Sequence, residues 1–210
     1  MKSEFVIDNE DVLRKLYSAT HELGLQKVQY TLGLHAKEFI RRSPFLCLGT
    51  QDLNGRADVS PRGDPPGFVH ILNESTLLIP DRPGNNRLDS LSNIIKNPAV
   101  GILFMVPGFD DTLRVNGSAY ITNEPVLLET MQVNNRPPTL AIVVQVCEVF
   151  LHCAKALRRS HLWDNNYHQD RSEMPSLIKM ILDDTTGAPD EEKMQEIDRG
   201  LEDDYRNTMY

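Results

Sequence analysis

One stretch constrains the fold more than any other, the run from residue 140 to residue 152, because it is apolar on both faces as far as Val146. A strand that is apolar on both faces has to be covered on both, so it should lie centrally in a sheet. A second apolar run occupies residues 99–106. Both runs are far too short to span a bilayer and are typical of buried strands.

Strict alternation in residues 112–121 predicts another strand with one core face and one polar face. The turn Asp52-Leu53-Asn54-Gly55 joins a strand at 45–50 to a strand at 57–60, and strands joined by so short a turn are antiparallel. Five to seven antiparallel strands with short helices between them predict a mainly β (α+β) fold. The architecture expected is a closed or split β-barrel with peripheral helices.

Three segments follow from these patterns. Residues 1–43 hold two helical patterns, at 8–17 and 31–42, and residues 44–163 hold the predicted barrel. Residues 164–210 form an acidic helical segment, expected to pack on the barrel or on a dimer partner. We expect this last segment to lie away from an anionic cofactor.

The formal charge of -8 is concentrated at one end of the sequence. Residues 164–210 carry thirteen acidic and five basic side chains, whereas residues 41–163 carry eleven acidic and twelve basic ones. The middle segment therefore has arginines available for an anionic ligand, while the whole molecule should repel nucleic acid and anionic membranes. Met1-Lys2-Ser3-Glu4 begins no signal-peptide pattern, which predicts a cytoplasmic protein.

Neither a metal site nor a disulfide is predicted. The three cysteines, Cys47, Cys147 and Cys153, lie in or beside apolar strand patterns and are expected to be buried thiols. The histidines lack the spacing of a zinc site.

Residues 77–91 carry the strongest sign of a ligand site, since they predict an apolar strand, a tight turn at Pro83-Gly84 and the start of an amphipathic helix. The first backbone N–H groups of a helix attract anions, so Asn86 and Arg87 suit a phosphate. A capped helix with surface arginines explains the same residues equally well.

Two further segments are candidates for ligand contact. Residues 60–67 interrupt the strand pattern with three prolines and two glycines, and leave Arg62 exposed for binding or as part of a rigid surface loop. Residues 154–163 place three cations and Trp163 after the central strand. A solvated helical face explains the cations, and Trp163 packs equally well on the core or on a ligand.

Taken together, four segments resemble the pyridoxamine-phosphate-oxidase-like flavoproteins, in the branch of probable FMN-dependent enzymes. They are Asp58-Val59-Ser60-Pro61-Arg62-Gly63-Asp64, residues 78–87, Leu113-Arg114-Val115-Asn116-Gly117, and residues 152–156 with Arg158, Ser160 and Trp163. The resemblance implies an FMN-binding split barrel that forms a homodimer, with FMN in clefts between the subunits. The cofactor-binding residues that it implies are Ser60, Arg62, Gly63, Ile79, Arg82, Asn85, Asn86, Arg87, Lys155 and Trp163.

The sequence departs from the oxidases themselves at two places. Their phosphate-binding turn has Ser, Arg and Lys after its glycine, whereas Gly84 is followed by Asn85, Asn86 and Arg87. Their arginine-rich closing segment has no counterpart in residues 202–210, which argues against vitamin B6 oxidation.

The function expected is that of an FMN-dependent oxidoreductase acting on an unidentified small molecule, with Asp64 and Lys155 near the flavin ring. We assign no catalytic acid, base or nucleophile, because the cofactor carries the chemistry. A non-catalytic flavin-binding protein, or a relative using deazaflavin or haem on the same barrel, remains an alternative.

Overall fold

The computed structural model of the chain describes residues 5–210, and its centre is one antiparallel sheet of seven strands. The strands are β1 (Phe45–Gln51), β2 (Ala57–Gly63), β3 (His70–Asn73), β4 (Thr76–Asp81), β5 (Ala99–Met105), β6 (Thr112–Thr122) and β7 (Leu140–His152). Their order across the sheet is β2-β1-β5-β6-β7-β4-β3, which leaves β2 and β3 as edges. The predicted mainly β fold is thus confirmed, in the split and not the closed form of the barrel.

Eight α-helices surround this sheet within the described residues. They are α1 (Glu10–Lys15), α2 (Glu22–Gln26), α3 (Leu34–Arg42), α4 (Asp89–Lys96), α5 (Pro125–Glu129), α6 (Lys155–Ser160), α7 (Leu177–Asp183) and α8 (Glu191–Thr208), with short 3-10 helices at Asn165–Tyr167 and Arg171–Glu173. None of the helices in residues 5–210 is long and apolar enough to cross a membrane. The first four residues, on which the signal-peptide argument was based, lie outside the described part.

The strand β7 begins and ends where the sequence predicts and pairs with β4 on one side and β6 on the other. Its residues from Ala141 to Val144 are 1% exposed or less, because core side chains cover both of its faces. The alternation predicted for β6 also holds, since Leu113, Val115 and Ala119 are all buried. The two longest strands therefore lie at the centre of the sheet, and α3 packs against both of them.

A bulge interrupts the pairing of β6 with β7. Gly117 pairs with Val146 and Asn116 with Glu148, so Cys147 is the extra residue. Here the backbones lie so close that a β-carbon on Gly117 would be 2.2 Å from the carbonyl oxygen of Gln145. Only glycine fits at this position without moving the neighbouring strand.

The prediction that all three cysteines are buried is wrong. Cys47 is half-buried, whereas Cys147 and Cys153 are exposed. Cys147 is the bulged residue of β7 and lies outside the regular ladder, and Cys153 follows the last residue of that strand. Apolar neighbours in the sequence therefore do not bury Cys147, which lies at a bulge, or Cys153, which lies at a strand end.

The expected interruption of β2 at Ser60 is also wrong, because the strand continues through Pro61 and Arg62 to Gly63. Proline is tolerated here because β2 is an edge strand that pairs with β1 alone, so one side of its backbone needs no ladder hydrogen bonds. The longer strand has a consequence for function. Ser60 and Arg62, two residues apart, lie on the same face of β2.

Candidate functional site

Hydrogen bonds between polar side chains fix the start of α4 against β1 and β2. The carboxylate oxygen Oδ2 of Asp58 accepts from the Ser90 hydroxyl at 2.9 Å and from the Thr50 hydroxyl at 3.3 Å. Leu91 and Ile94 on the same helix are buried in the core. The turn that precedes α4 is therefore held at the edge of the sheet, beside β2.

A cavity of about 800 Å³ opens between β2 and this turn. Its volume lies in the range of small-molecule and cofactor sites. Most of its lining comes from β2, from the segment between the end of β4 and the first turn of α4, and from a loop before β7, and Phe68 and Tyr210 complete it. The lining residues that could contact a polar ligand are Ser60, Arg62, Asp81, Arg82, Asn85, Asn86, Arg87, Arg136 and Tyr210.

Arg62 has the most distinctive surroundings of the cavity residues. One terminal nitrogen of its guanidinium donates to the Ser60 hydroxyl and to the Pro61 carbonyl. Its Nε is buried and has no hydrogen-bond partner. Among the buried side-chain nitrogen and oxygen atoms of the described residues, the same is true only of Oδ1 of Asp198. A buried donor without a partner costs about 1 to 3 kcal/mol, so contacts within the chain satisfy this guanidinium only in part.

The turn before α4 has an unusual backbone. Asn86 and Leu88 have positive φ angles of 56° and 59°, and the Asn85 side chain accepts a hydrogen bond from the Arg87 amide at 3.1 Å. Leu88 is the residue at the helix N-cap and gives no side-chain cap. The first N–H groups of α4 therefore lack the side-chain acceptor that usually satisfies them, which suits an anion.

Arg87 is held much more loosely than Arg62. Its side chain is 72% exposed and pairs with Asp89 at 2.8 Å, a hydrogen bond that raises the pKa of Arg87. Exposed ion pairs contribute little and exchange readily. Arg87 can therefore turn from Asp89 towards a ligand in the cavity at small cost.

A carboxyl group also faces the cavity. Asp81, at the end of β4, is half-buried, and this burial raises its pKa while the nearby Arg62 acts in the opposite direction. Asp58 and Asp89 also line the cavity, but they are engaged by Ser90 and Thr50 and by Arg87, so the cavity offers arginine donors together with the carboxyl group of Asp81. A ligand that carries both an anionic group and N–H donors would satisfy both kinds of group.

Arg82 lies on the cavity wall, but its guanidinium is already engaged. Its Nε donates to Asp64 at 2.6 Å and a terminal nitrogen donates to the Met131 carbonyl at 3.0 Å. The Asp64 side chain is only 1% exposed, so it is not free to face a flavin ring as the sequence suggested. A phosphate-binding role for Arg82 would require part of this network to break.

The remaining predicted site residues do not line this cavity. Ile79 is fully buried in the core, although the adjacent Pro80 reaches the cavity. Lys155 begins α6, and the Trp163 indole N–H donates to the Phe109 carbonyl at 2.8 Å. Next to α6 is a second cavity of about 550 Å³, over β1, β5 and β6. Ser60, Arg62, Gly63, Arg82, Asn85, Asn86 and Arg87 are thus brought together, whereas Lys155 and Trp163 lie elsewhere.

Sequence reasoning missed two residues of the cavity wall, Arg136 and Tyr210. The hydroxyl of Tyr210 donates to Asp64, which is 146 positions earlier in the sequence. No local pattern marks either residue, because Arg136 lies in the loop before β7 and the position of Tyr210 depends on how α8 packs. Tyr210 follows the acidic helix α8 and lines the cavity, whereas the expectation that this segment lies away from the cofactor stays a prediction.

A split antiparallel sheet with a polar cavity between an edge strand and a helix start defines the class of split β-barrel proteins. Within that class, the chain belongs to the pyridoxamine 5'-phosphate oxidase family, whose model matches residues 34–153. This match confirms the family resemblance seen in the sequence. The domain boundaries predicted at residues 43 and 163 remain predictions.

Several solved structures are similar to the chain at low identity. HupZ from Group A Streptococcus is 18% identical, with 57% of this chain and 92% of that chain covered and a TM-score of 0.46. An FMN-binding protein from Syntrophomonas wolfei is 12% identical, with 69% and 96% covered and a TM-score of 0.42. The haem storage protein HutZ from Vibrio cholerae is 16% identical, with 58% and 93% covered and a TM-score of 0.41. No curated protein matches the chain.

Proposed function

We propose that the chain binds FMN in the cavity between β2 and α4 and acts as an FMN-dependent oxidoreductase on a small molecule. The observation that carries this proposal is that Arg62, held by Ser60 and Pro61, lines the same cavity as the uncapped start of α4. An anionic acceptor suits both the guanidinium and the free N–H groups of the helix. Membership of the pyridoxamine 5'-phosphate oxidase family supports a flavin nucleotide as the source of that anion.

The residues present fit the phosphate of FMN. Arg62 and the first N–H groups of α4 would hold it, and Arg87 would add a second charge after leaving Asp89. Asp81 offers an acceptor for N–H groups elsewhere on the ligand. FMN, when bound, supplies the redox chemistry, so the protein needs only to position it and to admit a second reactant.

The cavity favours a flavin nucleotide over haem. Haem iron is usually held by His, Cys, Met or Tyr. In the part of the chain that the structure describes, the cavity lining includes no His, Cys or Met, and the hydroxyl of its one tyrosine, Tyr210, donates to Asp64 at 2.7 Å. Haem on this face would have to displace that hydrogen bond.

Titration of the purified, ligand-free protein with FMN, riboflavin, a deazaflavin and haem tests the proposal. We expect saturable binding of FMN and weaker binding of riboflavin, which lacks the phosphate. Reduction of the bound FMN by NADH or NADPH, followed by reoxidation with a screened set of acceptors, separates an oxidoreductase from a protein that only binds flavin. Haem binding with a Soret band and no affinity for FMN would contradict the proposal.

We further propose that the protein is a cytoplasmic homodimer. Lys155 and Trp163, which the resemblance assigns to the cofactor, lie away from the Arg62 cavity within one chain, so a second copy is needed to bring them to it. A half-buried face over β1, β5 and β6, which includes Leu103 and Leu157, is available for that copy. Light scattering at micromolar concentration should give twice the mass of the chain, and a monomer mass would contradict this.

A further inference from the structure

Two residues of the cavity wall, Arg82 and Tyr210, form a cluster with Asp64, and the three residues come from distant parts of the sequence. Both carboxylate oxygens of Asp64 are used: Oδ2 accepts from Arg82 Nε at 2.6 Å and Oδ1 accepts from the Tyr210 hydroxyl at 2.7 Å. Asp64 is 1% exposed and Arg82 is 16% exposed. The cluster therefore joins the segment after α8 to the ends of β2 and β4.

Two further contacts hold Tyr210. The Arg82 guanidinium lies over the Tyr210 ring, 5.6 Å from its centroid, and a terminal nitrogen of Arg136 donates to the Tyr210 carbonyl at 3.0 Å. Arg82, Arg136 and Tyr210 all line the cavity. Tyr210 is thus held by Asp64, Arg82 and Arg136 and is itself part of the cavity lining.

The hydroxyl of Tyr210 is a proton donor under ordinary conditions. Its hydrogen bond to Asp64, together with burial and the charge of that carboxylate, raises the pKa of Tyr210. The phenol therefore stays protonated at neutral pH. The phenol can therefore donate its hydrogen bond to Asp64 at neutral pH.

We propose that Tyr210 is a clasp, meaning that its ring forms one wall of the occupied cavity. Docking of the tail, which is residues 209–210 after α8, and binding of FMN then stabilise each other. This proposal rests on the proposed function. The ligand would contact the ring of Tyr210, a residue whose hydroxyl is held by Asp64 and whose backbone carbonyl is held by Arg136. Because two binding events that share one surface are coupled reciprocally, FMN should order the tail and the tail should slow the departure of FMN.

Three variants of the full chain test the clasp. Tyr210→Ala removes the wall and its anchor, and we expect FMN to dissociate about tenfold faster, a coupling of ordinary size. Tyr210→Phe keeps the ring and loses only the hydrogen bond to Asp64, so its rate should lie between those of Tyr210→Ala and the unchanged protein. The control is Tyr205→Ala, on an exposed part of α8 that does not line the cavity.

Hydrogen exchange gives the reciprocal measurement. The amides of residues 205–210 should exchange more slowly when FMN is bound to the unchanged protein, and Tyr210→Ala should abolish this protection. If the protein binds FMN but Tyr210→Ala leaves both the dissociation rate and the exchange unchanged, the clasp is wrong and the proposed function stands. A protein that binds no FMN would overturn both proposals.

Discussion

Replacing Arg62 by alanine is expected to weaken FMN binding about ten- to a hundredfold, while the affinity for riboflavin changes much less. Hydrogen bonds to charged groups contribute roughly 1.5 to 3 kcal/mol each, and every 1.4 kcal/mol corresponds to about tenfold in affinity. Arg62 is already held by Ser60 and Pro61 with its Nε unpaired, so little ordering is needed on binding. Titration of flavin fluorescence with FMN and with riboflavin measures the two affinities.

Arg87→Ala should also weaken FMN binding selectively, but less than Arg62→Ala. Its side chain is exposed and has to leave Asp89 before it can reach a phosphate. The matched control is Arg56→Ala, because Arg56 precedes β2 at the opposite end from Arg62 and does not line the cavity. Equal losses for FMN and riboflavin in Arg62→Ala would mean that Arg62 holds the fold or the ring instead of the phosphate.

Gly117→Ala is expected to destabilise the protein by about 3 kcal/mol, the upper end of the usual cost of overpacking. The new β-carbon would lie 2.2 Å from the Gln145 carbonyl oxygen and 3.2 Å from a Val144 methyl group. The Gln145 carbonyl belongs to the backbone of β7 and cannot rotate away as a side chain can, so β6 and β7 have to separate at the bulge. Urea unfolding followed by far-ultraviolet circular dichroism measures the change in the free energy of unfolding.

Gly101→Ala provides the comparison, since Gly101 lies on β5 directly beside β6. Its β-carbon would be 3.4 Å from a side-chain oxygen of Asn116, which is ordinary van der Waals contact with a group that can move. A change smaller than about 1 kcal/mol is expected there. Similar losses in the two variants would show that strand glycines matter for another reason than the close approach at the bulge.

The sequence determined the centre of the fold better than its edge. The apolar pattern of β7 gave both ends of the strand, because a segment buried on two faces has few alternatives. The proline in β2 led to a wrong boundary, since the rule that proline interrupts strands applies to interior ones and the strand order was not known. The residues of a segment predict whether it prefers to form a strand, whereas the strands beside it decide whether a proline is tolerated within it.

The candidate site divides in the same way. Ser60, Arg62 and the turn from Asn85 to Arg87 were found because each lies in a short motif. Tyr210 and Arg136 were missed because their places depend on the path of the chain after α7 and on the loop before β7. Arg82 was found, but no local pattern indicates that its guanidinium is bound to Asp64.

The proline in β2 also bears on how the protein avoids aggregation. An exposed edge strand is a template on which another chain can add a strand and begin a fibril. On β2, Pro61 supplies no N–H group, and the charged Arg62 follows it directly. A strand from another chain that paired with this edge would lack one hydrogen-bond donor and would bring a charged side chain into contact with it. The same strand that supplies ligand-binding groups therefore protects the sheet from growing, and Pro61→Val should make the protein more prone to form fibrils.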